Sequence, residues 1–218
     1  MSSLPRAPSR PIRQRWEEVL FLHWPVAPEA MRPLVPLELD LLDGRAWLGV
    51  VAFRMTRNRL RGFPLPPILE VNVRTYVKGG GVFFLSLDAS STLAVWIARL
   101  WYGLPYHRAR MSMRREGGLV RYESRRRGAE FVARYGPAGP VAPARPGSLE
   151  HFLVERYSLS LVRKGRPWRV AVEHEPWPLQ PARAEVEACT LPPLRVEGAP
   201  LAHFASGVSS RIAGPVPG

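Results

Sequence analysis

The residues best placed to do chemistry lie in two alternating runs. Across residues 70–77 (EVNVRTYV) every second position is polar: Glu70, Asn72, Arg74 and Tyr76 share one side of an extended chain, and Val71, Val73, Thr75 and Val77 the other. A carboxyl, an amide, a guanidinium and a phenol in one row, sheltered from water, can hold an anion and move a proton. The same alternation describes an ordinary antiparallel strand with one solvated face. Both readings stand at this point: the polar row lines a barrel lumen, or it faces solvent. The second run starts at Tyr106. Tyr106, Arg108, Arg110 and Ser112 fall on one side, and His107, Ala109, Met111 and Met113 on the other, where His107 is either a packed core histidine or a site residue.

These rows need strands to hold them. Gly79-Gly80-Gly81 reads as a hairpin turn between two strands, a short helix follows, and Gly103-Leu104-Pro105 fixes the backbone just before Tyr106. Elsewhere residues 17–24 read as a first strand, and a short helix opens at Pro28. Asp43-Gly44 sits between apolar runs as a hairpin signal. Gly117-Gly118 and Lys164-Gly165 mark two further hairpins, and Ser148 caps a helix running to about residue 156. Residues 57–68 read as a basic, Pro-rich loop, long enough to cover a pocket, and residues 194–197 and 201–205 as the last strands. The exposed or buried state of Trp96, Trp101 and Tyr102 divides an interface from a core; core is the commoner outcome. About a dozen strands with two or three short helices predict a β-rich α+β domain with a closed or half-closed barrel. Residues 1–14 are predicted to be a loose basic arm, and residues 15–218 a single domain.

Composition narrows the function classes. The chain has 218 residues and is 46% hydrophobic, enough for a real core, while 24 prolines and 18 glycines disfavour a helix-rich fold. The net charge of +13 invites a polyanion partner. The excess is nearly all arginine, with Lys78 and Lys164 the only lysines, and it alternates with apolar residues as on a solvated strand face. No zinc-finger spacing, basic heptad helix or RNA-binding strand motif accompanies it, so nucleic acid is a partner to consider and not the favoured one. Cys189 stands alone, which excludes an intrachain disulfide. His23, His107, His151, His174 and His203 lack metal-ligand spacing, and no metal or cofactor is expected. The N-terminus has no apolar signal core and no segment is long enough to span a membrane, so the expectation is a cytoplasmic protein, compatible with a homo-oligomer.

Several ordered segments carry a family resemblance: FLHWPVAPEAMRPLVP, DGRAWLGVVAFRM, EVNVRTYV, FLSLDASSTLAVWIARLWYGLPYHRARM, SLEHFLVERYSLSL and HEPWPLQPARAEVE. Together they span about residues 17–205 and resemble the uncharacterised YqjF-like bacterial family, which is remotely similar to the acetoacetate decarboxylase superfamily. The resemblance implies a β-barrel or cone with an internal cavity. In those decarboxylases a Schiff-base lysine follows a Gly-Phe-Pro turn and is itself followed by a second lysine. Here Gly103-Leu104-Pro105 is followed by Tyr106 and His107, so both amines are missing. The decarboxylase arginine corresponds to Pro25, whereas the catalytic glutamate corresponds to Glu70 and is retained.

Schiff-base chemistry needs an amine with a lowered pKa, and turn lysines such as Lys78 and Lys164 keep an ordinary one. Amine-dependent decarboxylation is therefore not expected. Alternation and resemblance together predict a cavity for a small acidic or carbonyl-containing molecule. Glu70, Tyr106 and His107 are its candidate catalytic groups, and Asn72, Arg74, Tyr76, Arg108 and Arg110 its candidate ligand contacts. Glu70 would act as acid or base, Tyr106 as hydrogen-bond donor, and Arg74 or Arg110 as anion clamp. The competing expectation is a non-catalytic protein that binds nucleic acid or an acidic partner through its arginines.

Overall fold

The computed structural model describes residues 12–60, 62–193 and 196–218. Its strands are β1 (Ile12–Val26), β2 (Ala46–Leu60), β3 (Phe63–Pro64), β4 (Ile68–Val77), β5 (Gly81–Ala89), β6 (Tyr106–Arg108), β7 (Arg110–Glu116), β8 (Leu119–Arg126), β9 (Ala129–Pro137), β10 (Ser158–Arg163), β11 (Arg166–His174), β12 (Leu179–Cys189), β13 (Leu201–Ile212) and β14 (Val216–Pro217). Three short helices interrupt them: α1 (Pro28–Met31), α2 (Thr92–Ile97), which continues as a π-helical turn over Ala98–Tyr102, and α3 (Leu149–Val154). Ser91 and Ser148 cap α2 and α3 by accepting from the backbone N–H of Ala94 and His151.

The strands join in the order β14-β11-β10-β5-β4-β2-β1-β13-β12-β9-β8-β7. Val172, Glu173 and His174 of β11 also pair with Ile212, Arg211 and Ser210 of β13. The path β11-β10-β5-β4-β2-β1-β13 therefore returns on itself, and β12, β9, β8 and β7 extend from it as a wing. The wing folds over the outer face of the central strands. Leu20, Leu22, Val50, Ala52, Val71 and Val73 pack there against Val120, Tyr122, Phe131, Ala133 and Tyr135. The inner face carries a second apolar cluster with Phe21, Val51, Phe53, Val82, Leu153 and Trp177. Strand β4 is thus covered on both faces, and its polar row does not face solvent. That arrangement suits residues 70–77, whose valine side needs a hydrophobic partner as much as its polar side needs shelter.

Two devices bend the long strands. Glu18 (φ 53°) and Arg57 (φ 50°) take left-handed backbone, and the β1–β2 register slips between Glu17 and Leu20. Opposite the first slip, Gly207 (φ 139°) brings its Cα so close to the Trp16 carbonyl that a Cβ would sit 2.2 Å from that oxygen. No side chain fits there.

Several local expectations are corrected. Strand β1 begins at Ile12 and Ile12, Arg13 and Gln14 pair with Ile212, Arg211 and Ser210, so the last three residues assigned to a loose arm are sheet; residues 1–11 lie outside the described part. Arg57 to Leu60 continue β2, and Arg59 pairs with Pro64, so only part of 57–68 is loop. Asp43-Gly44 does make the expected tight turn, with both residues in left-handed backbone and Leu42 and Arg45 bridged antiparallel across it, but the pairing stops at that bridge and Leu39 bridges Val77 at the end of β4. Of the strand expected over 194–197, Leu194 and Arg195 lie outside the described residues and Val196 and Glu197 are not in a strand. Trp96 (62% exposed) and Trp101 (45%) lie on the outer side of α2 and its π turn and not in the core, whereas Tyr102 is buried.

Part of the arginine runs is paired with carboxylates. Arg114 pairs with Glu116, Arg121 with Glu123 and Glu187, and Arg125 with Glu123 and Glu130. Arg115 reaches Glu18 and Arg126 the buried Asp88. Among the described residues no helix is long and apolar enough to cross a membrane.

Candidate functional site

The closed path borders a partly open cavity of about 200 Å³. Its walls are mainly apolar, from Val51 and Phe53 on β2, Val82 and Phe84 on β5, Ile97 and Ala98 at the end of α2, and Leu159 on β10. Glu70, Asn72 and Arg74 of β4 enter it together. They do so because β4 itself is unbroken: the only slip against β5 passes Leu85, with Val73 opposite Ser86 and Arg74 opposite Phe84. The period-two row therefore stays on one face.

Tyr106 comes from the other side of β5. Gly103, in left-handed backbone at φ 68°, ends the π turn, and Tyr106 then pairs in parallel with Leu87. Its hydroxyl donates to Glu70 Oε2 at 2.5 Å, while Asn72 Nδ2 donates to Oε1 at 3.0 Å. Burial pushes the Glu70 carboxyl up, opposed by those two hydrogen bonds and by the Arg74 charge. Burial, and next the neighbouring Glu70 carboxylate, push the Tyr106 phenol well above its ordinary value. Tyr106 therefore keeps its proton at neutral pH, and Glu70 is the member of the pair that titrates. A carboxyl so tuned in a dry wall suits acid–base work.

Arg74 is held by weak contacts. Its Nη2 reaches the Leu153 carbonyl only at 3.5 Å, and its guanidinium lies 5.6 Å from the Phe21 ring centre and 5.8 Å from that of Tyr76. Among the described residues it has no ion-pair partner. Its Nε and the Asn72 Oδ1 are both buried with no hydrogen-bond partner, an arrangement that costs free energy unless something else supplies the bonds. Gly49 of β2 makes the room: a Cβ there would stand 3.3 Å from Arg74 Cγ and 3.1 Å from His23 Cδ2.

The remaining candidates separate. Tyr76 lies beyond the cavity, fully buried; its hydroxyl donates to the Leu153 carbonyl at 2.8 Å and meets His23 Nε2 at 2.7 Å. His107, Arg108 and Arg110 do not line the cavity. The alternation from Tyr106 does not carry them inward, because the chain leaves β5 after Arg108 and starts β7 in the wing, with Arg108 and Arg110 both exposed. His107 sits opposite Asp88 on the outer side of β5. Asp88 there accepts from Arg126 Nε at 2.7 Å, and desolvation and then the Arg126 charge hold the His107 ring below its usual value.

Sequence reasoning missed four contributors. His23 is wholly buried, and burial, then Arg74 and His203, depress its pKa strongly; a lone histidine within an apolar strand gives no signal of this. Arg156 lines the cavity; its Nη1 donates to Asp40 at 2.7 Å while its Nη2 is buried without a partner. Tyr122 reaches from the wing to donate to the carbonyls of Glu70 (2.7 Å) and Phe53 (3.2 Å), fixing the backbone from which Glu70 projects. The Leu153 carbonyl of α3 anchors Tyr76 at 2.8 Å and meets Arg74 only loosely. The segments SLEHFLVERYSLSL and HEPWPLQPARAEVE meet behind it, where Trp177 Nε1 donates to the Val154 carbonyl and Trp177 N to Glu155 Oε1.

The model of the DUF2071 family, described as an uncharacterized conserved protein, matches residues 13–209. The chain belongs to this family. This DUF2071 protein is also 39% identical over 210 residues to the uncharacterized protein YqjF of Bacillus subtilis (strain 168), covering 89% of the chain and 87% of that protein. Solved structures share its fold at low identity. An acetoacetate decarboxylase-like enzyme from Sphingomonas wittichii RW1 matches with a TM-score of 0.64 at 15% identity, over 94% of this chain and 92% of that one. The enduracididine biosynthesis enzyme MppR complexed with pyruvate matches at 0.63 and 12%, over 99% and 92%. The acetoacetate decarboxylase of Legionella pneumophila matches at 0.61 and 14%, over 99% and 91%. The β-rich architecture expected from the residues, and the decarboxylase-like fold that the resemblance implies, are thus the fold. Within it, neither lysine of this chain reaches the cavity: Lys78 is exposed and paired with Glu38, and Lys164 sits at the tip of the β10–β11 hairpin.

Proposed function

We infer that this protein binds a small molecule bearing a carboxylate or polarised carbonyl in the cavity, with Arg74 contacting its oxygen and the Glu70–Tyr106 pair placed to give or take a proton. The observation that carries the reading is the unpartnered Nε of Arg74 in the same cavity wall as a carboxyl whose pKa burial raises. A guanidinium Nε–H buried without an acceptor is costly, and a ligand oxygen that accepts from it relieves that cost. MppR, which shares the fold, is described as complexed with pyruvate, a small keto acid. Any reaction here proceeds without an amine nucleophile, since both lysines lie on exposed turns.

Thermal unfolding of the full chain in the presence of small carboxylic acids and ketones tests the reading. A ligand at a hundred times its Kd stabilises a protein by about 2.7 kcal/mol, visible as a Tm increase. The increase is expected with carboxylates for the wild type and absent in Arg74→Gln. An equal increase in both proteins would show that the anion binds elsewhere.

A further inference from the structure

The cavity gathers most of its polar groups at one pole and is mainly apolar elsewhere, and that asymmetry bears on what it holds. The pole is formed by Glu70, Asn72, Arg74 and Tyr106. Of the other polar groups on the lining, Asn58 Nδ2 donates to the Pro66 carbonyl, Ser158 to the Gly80 carbonyl and Arg156 Nη1 to Asp40, and His174 Nδ1 meets the Glu175 carbonyl, whereas Trp16 Nε1, Asn58 Oδ1 and Arg156 Nη2 are buried there without a partner. Beyond the pole lie Phe53, Ile68, Phe84, Ile97, Leu104 and Leu159. A second charged group laid against that apolar wall would be left unpaired.

Size sets the other limit. An apolar cavity of about 150 Å³ accommodates benzene. A cavity of about 200 Å³ therefore takes a ligand of about eight non-hydrogen atoms on the same scale. Acetate would fill the pole and leave the apolar walls facing a void or poorly bonded water. Hexanoate and benzoate are of the right size and polarity.

Resting on the carboxylate reading above, we propose that the ligand class is a monocarboxylic acid with a compact apolar body, of medium-chain aliphatic or aromatic type, its carboxylate at Arg74 and its body against the wall made by β2, β5 and the end of α2. The small side chains of Ala94 and Ala98, which line the cavity from α2, leave the space that this body occupies. Asn72 Oδ1, the other unpartnered atom at the pole, would accept from a hydroxyl next to the carboxylate, so a 2-hydroxy acid of the same length is the favoured member of the class.

Calorimetric titration of the full chain with acetate, pyruvate, hexanoate, 2-hydroxyhexanoate, benzoate and hexylamine decides it. Burial of each methylene is worth about fourfold in affinity, so hexanoate should bind roughly 200-fold more tightly than acetate. Arg74→Gln should weaken hexanoate by about 10- to 100-fold. Ala98→Phe, which fills the apolar end from a partly exposed helix, should lower the preference for hexanoate over acetate at least about tenfold by overpacking. If acetate or pyruvate binds as tightly as hexanoate with Arg74 still required, the proposal falls and the carboxylate site stands. If hexylamine equals hexanoate and Arg74→Gln changes nothing, the carboxylate site itself is wrong. If none of the six binds, both are overturned.

Discussion

Tyr106→Phe tests the contact on which the site depends. The hydroxyl donates to Glu70 Oε2 at 2.5 Å, and Glu70 is only 4% exposed, so no water replaces the lost donor freely. With Glu70 ionised the bond is charge-assisted, and its removal should cost about 1.5–3 kcal/mol of folding stability. With Glu70 protonated it is a neutral bond worth about 0.5–1.5 kcal/mol. The folded carboxyl lies above its ordinary value of 4.5, so in the wild type the folded state keeps the proton that the unfolded chain releases. Glu70 therefore lowers stability as pH rises from 4.5 through its folded pKa. Tyr106 favours the ionised form, and removing it raises the folded value further, so the loss in Tyr106→Phe must grow with pH. Urea denaturation at about pH 5 and about pH 8 of the wild type, Tyr106→Phe, Glu70→Gln and the double variant measures this, with a coupling of about 1 kcal/mol or more at the higher pH. Gln is tolerated at position 70 because the Asn72 amide can turn its unpartnered oxygen toward the new NH2. A Tyr106→Phe loss that is the same at both pH values, or a coupling of zero, would refute the pairing.

Three further outcomes follow from the same structure. Gly207→Ala puts a Cβ 2.2 Å from the Trp16 carbonyl oxygen at a φ of 139°, and chemical denaturation should show a loss of at least about 2 kcal/mol. Tyr122→Phe removes the one hydroxyl that the buried carbonyls of Glu70 and Phe53 share; it should cost about 1–2 kcal/mol and also weaken carboxylate binding, which a merely structural loss would not do. His23 is held neutral far below its ordinary 6.5, so the unfolded state binds a proton that the folded state refuses. Its contribution is present above 6.5 and lost as pH falls toward the folded value; His23→Gln, read by thermal unfolding across that range, should flatten the acid side of the stability profile.

Much of this was legible in residues 70–77 because a strand's period of two is rigid. Once β4 is a strand, Glu70, Asn72 and Arg74 must share a face, and only the existence of a lumen on that side was open. Tyr106 was legible through the Gly103-Leu104-Pro105 turn, which fixes its direction. The same logic failed one step later. Alternation predicts faces only within a continuous strand, and the chain changes sheets between Arg108 and Arg110, which carries Arg108 and Arg110 out to solvent and sets His107 beside Asp88. His23, Tyr122 and the Leu153 carbonyl were invisible for a different reason. They reach the site across sequence separations of 53, 52 and 77 residues, and no local pattern encodes such pairings. Trp96 and Trp101 misled because their apolarity speaks for burial, whereas a short helix laid over a cavity buries only its inner side.

The claim at the centre is that Arg74 waits in the cavity for an anion. Arginine Nε resonances of the 15N-labelled full chain, assigned to Arg74 by comparison with Arg74→Gln, report on it directly during titration with hexanoate. A buried Nε–H without a protein partner should give a signal that shifts saturably as the carboxylate accepts from it, with the same midpoint as calorimetry. A hexanoate complex in which the Arg74 signal stays in place while other resonances move would contradict the account.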